Sequence, residues 1–119
     1  MKNEQRYTKF WDFYPYYLTE HARPANRAMH FIGTALVIVC AVLAPVLQRY
    51  YLLLLIPLLG YGFAWIGHFF LERNKPATFQ YPLYSLGSDF VMFWHILTGQ
   101  ITDKVREAHR KLGITNPWE

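Results

Sequence analysis

Uncharged apolar residues are collected in long blocks along the chain, with the charged residues between and outside them. Residues 31–47 and residues 50–71 contain no formally charged side chain. An α-helix rises about 1.5 Å per residue, so about 20 residues span a hydrocarbon core of ~30 Å. Neither block shows the polar stripe of a soluble amphipathic helix. The pattern therefore predicts a transmembrane hairpin, whose first helix begins with an interfacial turn at residues 27–30.

A third apolar block covers residues 82–101 and differs from the first two because it contains two ionisable side chains. It opens with a proline, which suits the first turn of a helix. A charged segment at residues 102–112 follows it directly. We expect one helix that continues from the block into this amphipathic tail, with Gly113 and Pro117 as its stop signal.

The distribution of basic residues predicts how the hairpin is oriented. Most of them lie before the first span or within residues 72–75, and only Arg49 lies between the spans. The positive-inside rule then places the N-terminus and the 72–75 segment in the cytoplasm. A full third span would place the basic tail outside. Three arrangements avoid this: the third block enters and returns, it packs obliquely, or a further short span lies within residues 50–71, interrupted at Pro57 or the glycines after it.

The segment before the first span contains seven aromatic residues between residues 7 and 17. Tyrosine and tryptophan favour the headgroup region of a bilayer, so we expect a helix or a broken helix in the cytoplasmic interface. Pro15 favours the broken form. Taken together, the pattern predicts an all-α membrane protein with a single domain at residues 1–119. Its expected architecture is a compact helical bundle with an interfacial N-terminal helix, a transmembrane hairpin and a third apolar helix running into an amphipathic tail.

Composition and charge narrow the class of protein. Hydrophobic residues make up 53% of the chain and charged residues 17%, against about 45–50% and ~25% in soluble proteins. This excludes a disordered chain, and the single cysteine, Cys40, excludes a disulfide scaffold. No basic folded module for nucleic acid is visible, so the net charge of +4 indicates membrane orientation and attraction to anionic headgroups. Without a cleavable signal peptide, we expect an integral protein of the bacterial inner membrane or the eukaryotic endoplasmic reticulum.

The histidines of the two spans lie at matched positions. His30 is 19 residues before Arg49, the centre of the predicted turn, and His68 is 19 residues after it. In an antiparallel hairpin both therefore lie at the same depth, at the cytoplasmic boundary. Glu72 is at i+4 from His68 and so lies on the same helix face. His21 precedes the first span, which brings three histidines and one glutamate to one end of the hairpin.

This set of side chains predicts a metal site. Two or three histidines plus a carboxylate, with open coordination positions, suit a non-heme Fe(II) oxygenase. Spacing alone leaves zinc as the alternative metal, and His-x-x-x-Glu differs from the His-Glu-x-x-His of metalloproteases. The competing interpretation is that the histidines only anchor helix ends in the interface. Side chains expected to form hydrogen bonds around the ligands are Asn26, Asn74 and Asp89.

Two other histidines receive different expectations. His95 lies six residues after Asp89 and so points to another face; we expect a hydrogen-bonded packing role, with a ligand role as the open alternative. His109 lies in the charged tail, where we expect a solvated side chain. Cys40 lies in the middle of the first span and is expected to act as a small apolar filler.

Two motifs carry a family resemblance. Residues 17–33 contain Tyr-Leu-x-x-His-x-x-Pro-x-Asn-Arg-x-x-His-x-x-Gly, and residues 67–77 contain Gly-His-Phe-x-x-Glu-x-Asn-x-Pro-Ala. They resemble a family of small integral-membrane 2-hydroxy fatty acid dioxygenases, formerly a domain of unknown function. Its characterised member is a fungal endoplasmic-reticulum enzyme that uses Fe(II) and dioxygen to shorten 2-hydroxy fatty acids by one carbon. The resemblance implies an iron-binding or catalytic role for four residues: His21, His30, His68 and Glu72.

The resemblance also implies the partners of the protein. They are the lipid bilayer, a 2-hydroxy fatty acid or similar amphiphile, and dioxygen; a homo-oligomer stays open. The substrate carboxylate would be neutralised by Arg27, Arg73 or Lys75. Two other functions compete with this one: another lipid-directed membrane metalloenzyme, such as a lipid hydroxylase or zinc hydrolase, and a non-catalytic small protein that binds lipid.

Overall fold

The computed structural model describes residues 7–75 and 80–115, and every regular element among them is helical. The second apolar block forms one uninterrupted rod, Tyr50–Glu72, built from three successive segments. Motif residues Pro76 and Ala77, and the expected stop at Pro117, lie outside the described residues. The elements are α1 (Phe10–Thr19), α2 (Pro24–Leu47), a 3₁₀ segment (Tyr50–Leu54), α3 (Leu55–Ile66), a π segment (Gly67–Glu72), α4 (Pro82–Leu97) and α5 (Ile101–Leu112).

The two apolar blocks form two helices that pack side by side as a hairpin. α2 begins at Pro24, whose fixed φ suits the first helical turn, and its C-cap Gln48 adopts a left-handed φ of 55° that reverses the chain. α2 then packs along α3. The close approach depends on Gly33, where a Cβ atom would lie only 3.0 Å from Phe63 Cβ. The rod continues through Pro57 without a break, so the structure provides no additional short span inside it.

Two helices are long and apolar enough to cross a membrane by length and composition, Pro24–Leu47 and Tyr50–Glu72. Only 28% and 17% of their most apolar windows are buried inside the protein. Large aliphatic side chains therefore face outward along both helices, including Val46, Leu54 and Leu58. A core helix of a soluble protein would bury such side chains, so the outer surface of the hairpin is unusually apolar.

The N-terminal aromatic segment differs from the expectation. α1 is continuous through Pro15, because the helix is held by packing on α4 and α5 although the proline removes one backbone donor. Its aromatic side chains do not serve mainly as headgroup contacts. Phe13, Tyr14 and Tyr17 instead form a buried core with Leu18, which accounts for much of the aromatic content of the segment.

The expectation of one helix from the third block into the tail is wrong. α4 ends at Leu97, and Gly99 adopts a left-handed φ of 76°, the conformation that commonly terminates helices. α5 then packs along α1 and ends at Gly113 as predicted. The solvated role expected for His109 is also wrong, because this packing leaves its side chain only 5% exposed and its Nδ1–H donates to Val105 O at 2.9 Å.

Candidate metal centre

Three histidines from three different parts of the fold meet at the end of the hairpin. His21 lies in the link between α1 and α2, His30 on α2, and His68 in the π segment. Their ring centroids are 4.3, 4.4 and 5.0 Å apart. One potential ligand atom from each lies within 4.8 Å of the others. His30 and His68, which the residue count from the turn places at equal depth, therefore do lie close together in the structure.

Hydrogen bonds fix the orientation of two of these rings. His21 Nδ1 lies 2.6 Å from Tyr17 O, and a carbonyl oxygen can only accept, so this nitrogen carries the proton. His30 Nδ1–H donates in the same way to Asp89 Oδ1 at 3.3 Å. The remaining lone pairs are then on the Nε2 atoms, which are buried and have no hydrogen-bond partner. Buried polar nitrogens normally find partners, so two such atoms side by side indicate a place for a ligand.

The third ring is oriented by an amide whose own direction is fixed. Asn74 Nδ2 donates to Glu20 O at 2.9 Å and to Glu20 Oε1 at 3.2 Å. Its Oδ1 is therefore the acceptor for His68 Nδ1–H at 2.7 Å. All three imidazoles thus donate from Nδ1 to an oxygen atom. This is the arrangement that commonly orients metal-binding histidines and raises their basicity.

The protonation state of His21 also suits a ligand. Burial lowers the pKa of His21 well below its ordinary value, and the neighbouring His30 and His68 lower it further. Desolvation disfavours the charged imidazolium form. His21 is therefore neutral at physiological pH, as metal coordination requires.

The local backbone around His68 is specialised. The rod widens into a π segment over its last turn, where Arg73 N–H bonds to His68 O, and Arg73 adopts a left-handed φ of 61°. Gly67 is required at this point, because a Cβ atom there would overlap Asn26 Oδ1 and lie 3.0 Å from Asn26 Cγ. π turns are rare and are often found at functional sites.

Glu72 does not join the histidines. Its Oε1 accepts hydrogen bonds from Arg23 N at 3.1 Å and from Asn26 Nδ2 at 3.0 Å, and the cluster of candidate ligand atoms does not include it. The i+4 relation to His68 applies to an α-helix, whereas this stretch is a π turn with a different angular step. The structure therefore places Glu72 outside the histidine cluster, where it links the end of the rod to the start of α2.

Tyr17 is a residue of this site that the sequence analysis did not select. Its hydroxyl donates a short hydrogen bond to Asp89 Oδ1, and its ring stacks on His21 with centroids 4.0 Å apart. It therefore supports both His21 directly and His30 through Asp89. Its position one helical turn before His21 is the signal that could have identified it.

The predicted carboxylate-binding cations lie elsewhere. Arg27 Nη1 donates to His21 O at 2.9 Å and to Ala22 O at 2.8 Å, so it stabilises the backbone that carries His21. Arg73 and Lys75 border a separate surface hollow with Phe69 and Phe70. Among the described residues that line the histidine cavity there is no lysine or arginine. The structure therefore does not bring these three predicted cations to the lining of the histidine cavity.

The histidine cluster opens into a cavity of about 230 Å³. Its walls come from α2, the rod and the first half of α4, and Asp89 and Ser85 lie on the α4 side. The other two histidines lie outside this cavity. His95 Nδ1 pairs with Tyr14 OH at 2.7 Å, in the packing role expected for it.

The residues present fit a metal ion. Three imidazoles that each donate from Nδ1, with potential ligand atoms within 4.8 Å of one another, match the donor set of protein sites for zinc and non-heme iron. With three protein ligands, further coordination positions stay available on the cavity side. The arrangement can therefore hold a metal that also contacts a ligand in the cavity.

We expect Asp89→Asn to weaken metal binding by about 10- to 100-fold, the usual cost of altering a group that orients a metal-binding histidine. Asparagine has nearly the same shape as aspartate, so the packing is kept. The negative charge that accepts the hydrogen bond from His30 Nδ1–H is lost. Titration of the purified protein with metal measures the effect. The matched control is Asp103→Asn, since Asp103 forms a surface pair with Arg106 on α5; equal affinity in the Asp89 and Asp103 variants would contradict the role of Asp89.

Comparison with models of known protein families gives a match over most of the chain. A family model described as 2-hydroxy-palmitic acid dioxygenase Mpo1-like matches residues 7–101, which contain all three clustered histidines. No significant match was found among curated proteins or among solved structures.

Proposed function

Because the chain belongs to the 2-hydroxy-palmitic acid dioxygenase Mpo1-like family, we propose that it is an Fe(II)-dependent dioxygenase that shortens 2-hydroxy fatty acids by one carbon. The observation that carries the proposal is the convergence of His21, His30 and His68, with two buried Nε2 atoms that have no partner. The family name gives the substrate class, and the donor set suits a metal with open coordination positions.

The proposed reaction breaks the bond between the carboxyl carbon and the carbon that bears the hydroxyl group. One dioxygen molecule oxidises the 2-hydroxy acid to an acid one carbon shorter, carbon dioxide and water, which balances atoms and electrons. Iron(II) in this site would supply coordination positions for the oxygen atoms of the substrate and for dioxygen.

The protein's own residues bind and orient in this proposal. Tyr17 O, Asp89 and Asn74 hold the Nδ1–H groups, so the Nε2 atoms keep fixed directions. Fixed ligand geometry reduces the reorganisation needed during a reaction. The hydrocarbon walls of the cavity limit the access of water to the reacting groups.

We further propose that α2 and the Tyr50–Glu72 rod lie in the bilayer, with the histidine end at the cytoplasmic boundary. Their outward-facing aliphatic side chains and their lengths support this placement. A fatty acid in the same leaflet has its polar head at the boundary and its tail in the hydrocarbon. The proposed site and the head of such a substrate are therefore at one depth.

Metal analysis combined with turnover tests the proposal. Protein reconstituted with Fe(II) is expected to retain the metal and to convert 2-hydroxypalmitate to an acid one carbon shorter in air, with no product under anaerobic conditions. Removing the metal with a chelator should abolish turnover, and Fe(II) but not zinc should restore it. Retention of zinc alone without turnover would favour another lipid-directed metalloenzyme, and absence of any bound metal would favour a non-catalytic lipid-binding protein.

A further inference from the structure

The cavity beside the histidines continues as a groove along the hairpin, and its lining changes from polar to apolar. The polar end contains the histidines, Asp89 and Ser85. The remainder is lined mainly by apolar residues of α2, α3 and α4, including Val37, Ile56 and Phe90. We propose that this groove is the channel for the alkyl chain of a carboxylic acid amphiphile, and that Gly60 determines which chain lengths it admits. The inference rests on the proposed function for the identity of the amphiphile.

The length of the groove fits one alkyl chain. His68 and Ile56 both line it and are 12 residues apart along the rod, which corresponds to roughly 18 Å at the rise of an α-helix. A bilayer core of ~30 Å contains two leaflets, so one acyl chain covers about half of it. The enclosed volume of about 230 Å³ is below the ~300 Å³ at which pockets begin to enclose drug-sized ligands. The chain would therefore be partly enclosed and partly in contact with lipid.

The polar end offers a partner for the head of the amphiphile. Ser85 is 2% exposed, and its Oγ has no hydrogen-bond partner although it borders the cavity. It lies one helical turn before Asp89, so both project to the same side of α4. A buried hydroxyl without a partner is costly, and an oxygen atom of a bound carboxylic acid would satisfy it. This fixes the direction of the ligand, with its head at Ser85 and its tail towards Ile56.

Gly60 lies on the wall of this path, eight residues before His68 and four residues after Ile56. A Cβ atom at this position would lie 3.5 Å from Val37 Cγ2 on the opposite wall, so any side chain reduces the width of the groove between α2 and α3. Gly62 lies on the same helix, but nothing lies within 4 Å of a Cβ atom there, and it does not line the cavity. Equal substitutions at the two glycines have the same intrinsic helix propensity and differ in whether they narrow the groove.

The test measures binding of 2-hydroxy fatty acids of increasing chain length to iron-free protein in nanodiscs, which needs no turnover. In Gly60→Leu, affinity for long-chain acids should fall by about tenfold or more while affinity for short-chain acids is kept, because the blocked methylene groups lose their buried contacts. Gly62→Leu should bind like the unchanged protein. Gly60→Ala, a smaller change suited to the available space, should shift the chain-length limit in the same direction and covers the case in which the leucine variant does not fold.

Equal chain-length profiles for the Gly60 and Gly62 variants would overturn the inference, as would an unchanged protein that binds all chain lengths equally or binds none. Failure of the proposed function has a different signature. In that case the protein binds the acids with the Gly60-dependent limit, but the iron-loaded form gives no shortened product. The two outcomes are therefore separated by measuring binding and turnover on the same samples.

Discussion

His68→Ala is expected to abolish both retained iron and turnover of 2-hydroxypalmitate. The change removes one of three convergent imidazoles and leaves Asn74 Oδ1 without its donor. Altering a group that only orients a ligand already costs about 10- to 100-fold, so loss of the ligand itself should exceed this. Iron content per chain and the rate of product formation measure the effect. His68→Gln keeps a polar side chain and should fail in the same way, which separates loss of the ligand from loss of folding.

The control for this experiment is His95→Ala. His95 is also hydrogen-bonded, to Tyr14 OH, but it lies outside the cluster. This variant should retain iron and most of the turnover. Full turnover in His68→Ala, or an equal loss in both variants, would show that the three-histidine cluster is not the reactive centre.

Gly67→Ala is expected to destabilise the protein and to reduce iron retention strongly. The new methyl group would overlap Asn26 Oδ1, and Asn26 cannot move without breaking its bond to Glu72, which joins the rod to α2. Overpacking of this kind typically costs about 1–3 kcal/mol. The added methyl group of Gly67→Ala would also displace the adjacent His68. Thermal unfolding in detergent and iron content measure the two effects.

Gly62→Ala, on the same rod, is expected to have the opposite effect on stability. No atom lies within 4 Å of a Cβ atom at this position, and alanine is favoured over glycine in a helix by about 1 kcal/mol. This variant should be equally stable or more stable, with unchanged iron content. A destabilisation as large as that of Gly67→Ala would contradict the proposed contact with Asn26.

The hairpin and the histidine cluster were predictable because both follow from the lengths of the apolar blocks and from the number of residues between each histidine and the turn. The two apolar blocks have a single turn between them, so His30 and His68 lie at equal distance from the turn once both blocks are helical. His21 followed from its place before Pro24. Asp89 was predictable as a hydrogen-bonding neighbour, because a carboxylate in an apolar helix needs a polar partner, and it accepts from His30 Nδ1–H. Tyr17 was harder, because an aromatic residue in a segment with six other aromatic residues does not stand out.

The predictions that differ from the structure share a physical cause. They rest on local sequence patterns, whereas packing between helices determines the structure at these positions. Pro15 does not break α1, because the helix packs on its neighbours, and His109 is buried because α5 packs back on α1. Glu72 was placed with His68 by α-helical geometry, which the π turn replaces. Arg27, one of the three residues expected to neutralise the substrate carboxylate, donates instead to the backbone carbonyls of His21 and Ala22 in the link between α1 and α2.

The origin of the three imidazoles in separate segments gives a bound ion a mechanical role. His21 follows α1, and the other two belong to the hairpin, 9 and 47 residues further along the chain. A metal bound to all three histidines would link α1 and the segment that follows it to the hairpin. Any ion that prefers the folded chain also stabilises it by mass action. Removal of a metal bound there would then lower the stability of the folded chain as well as any reactivity at the site.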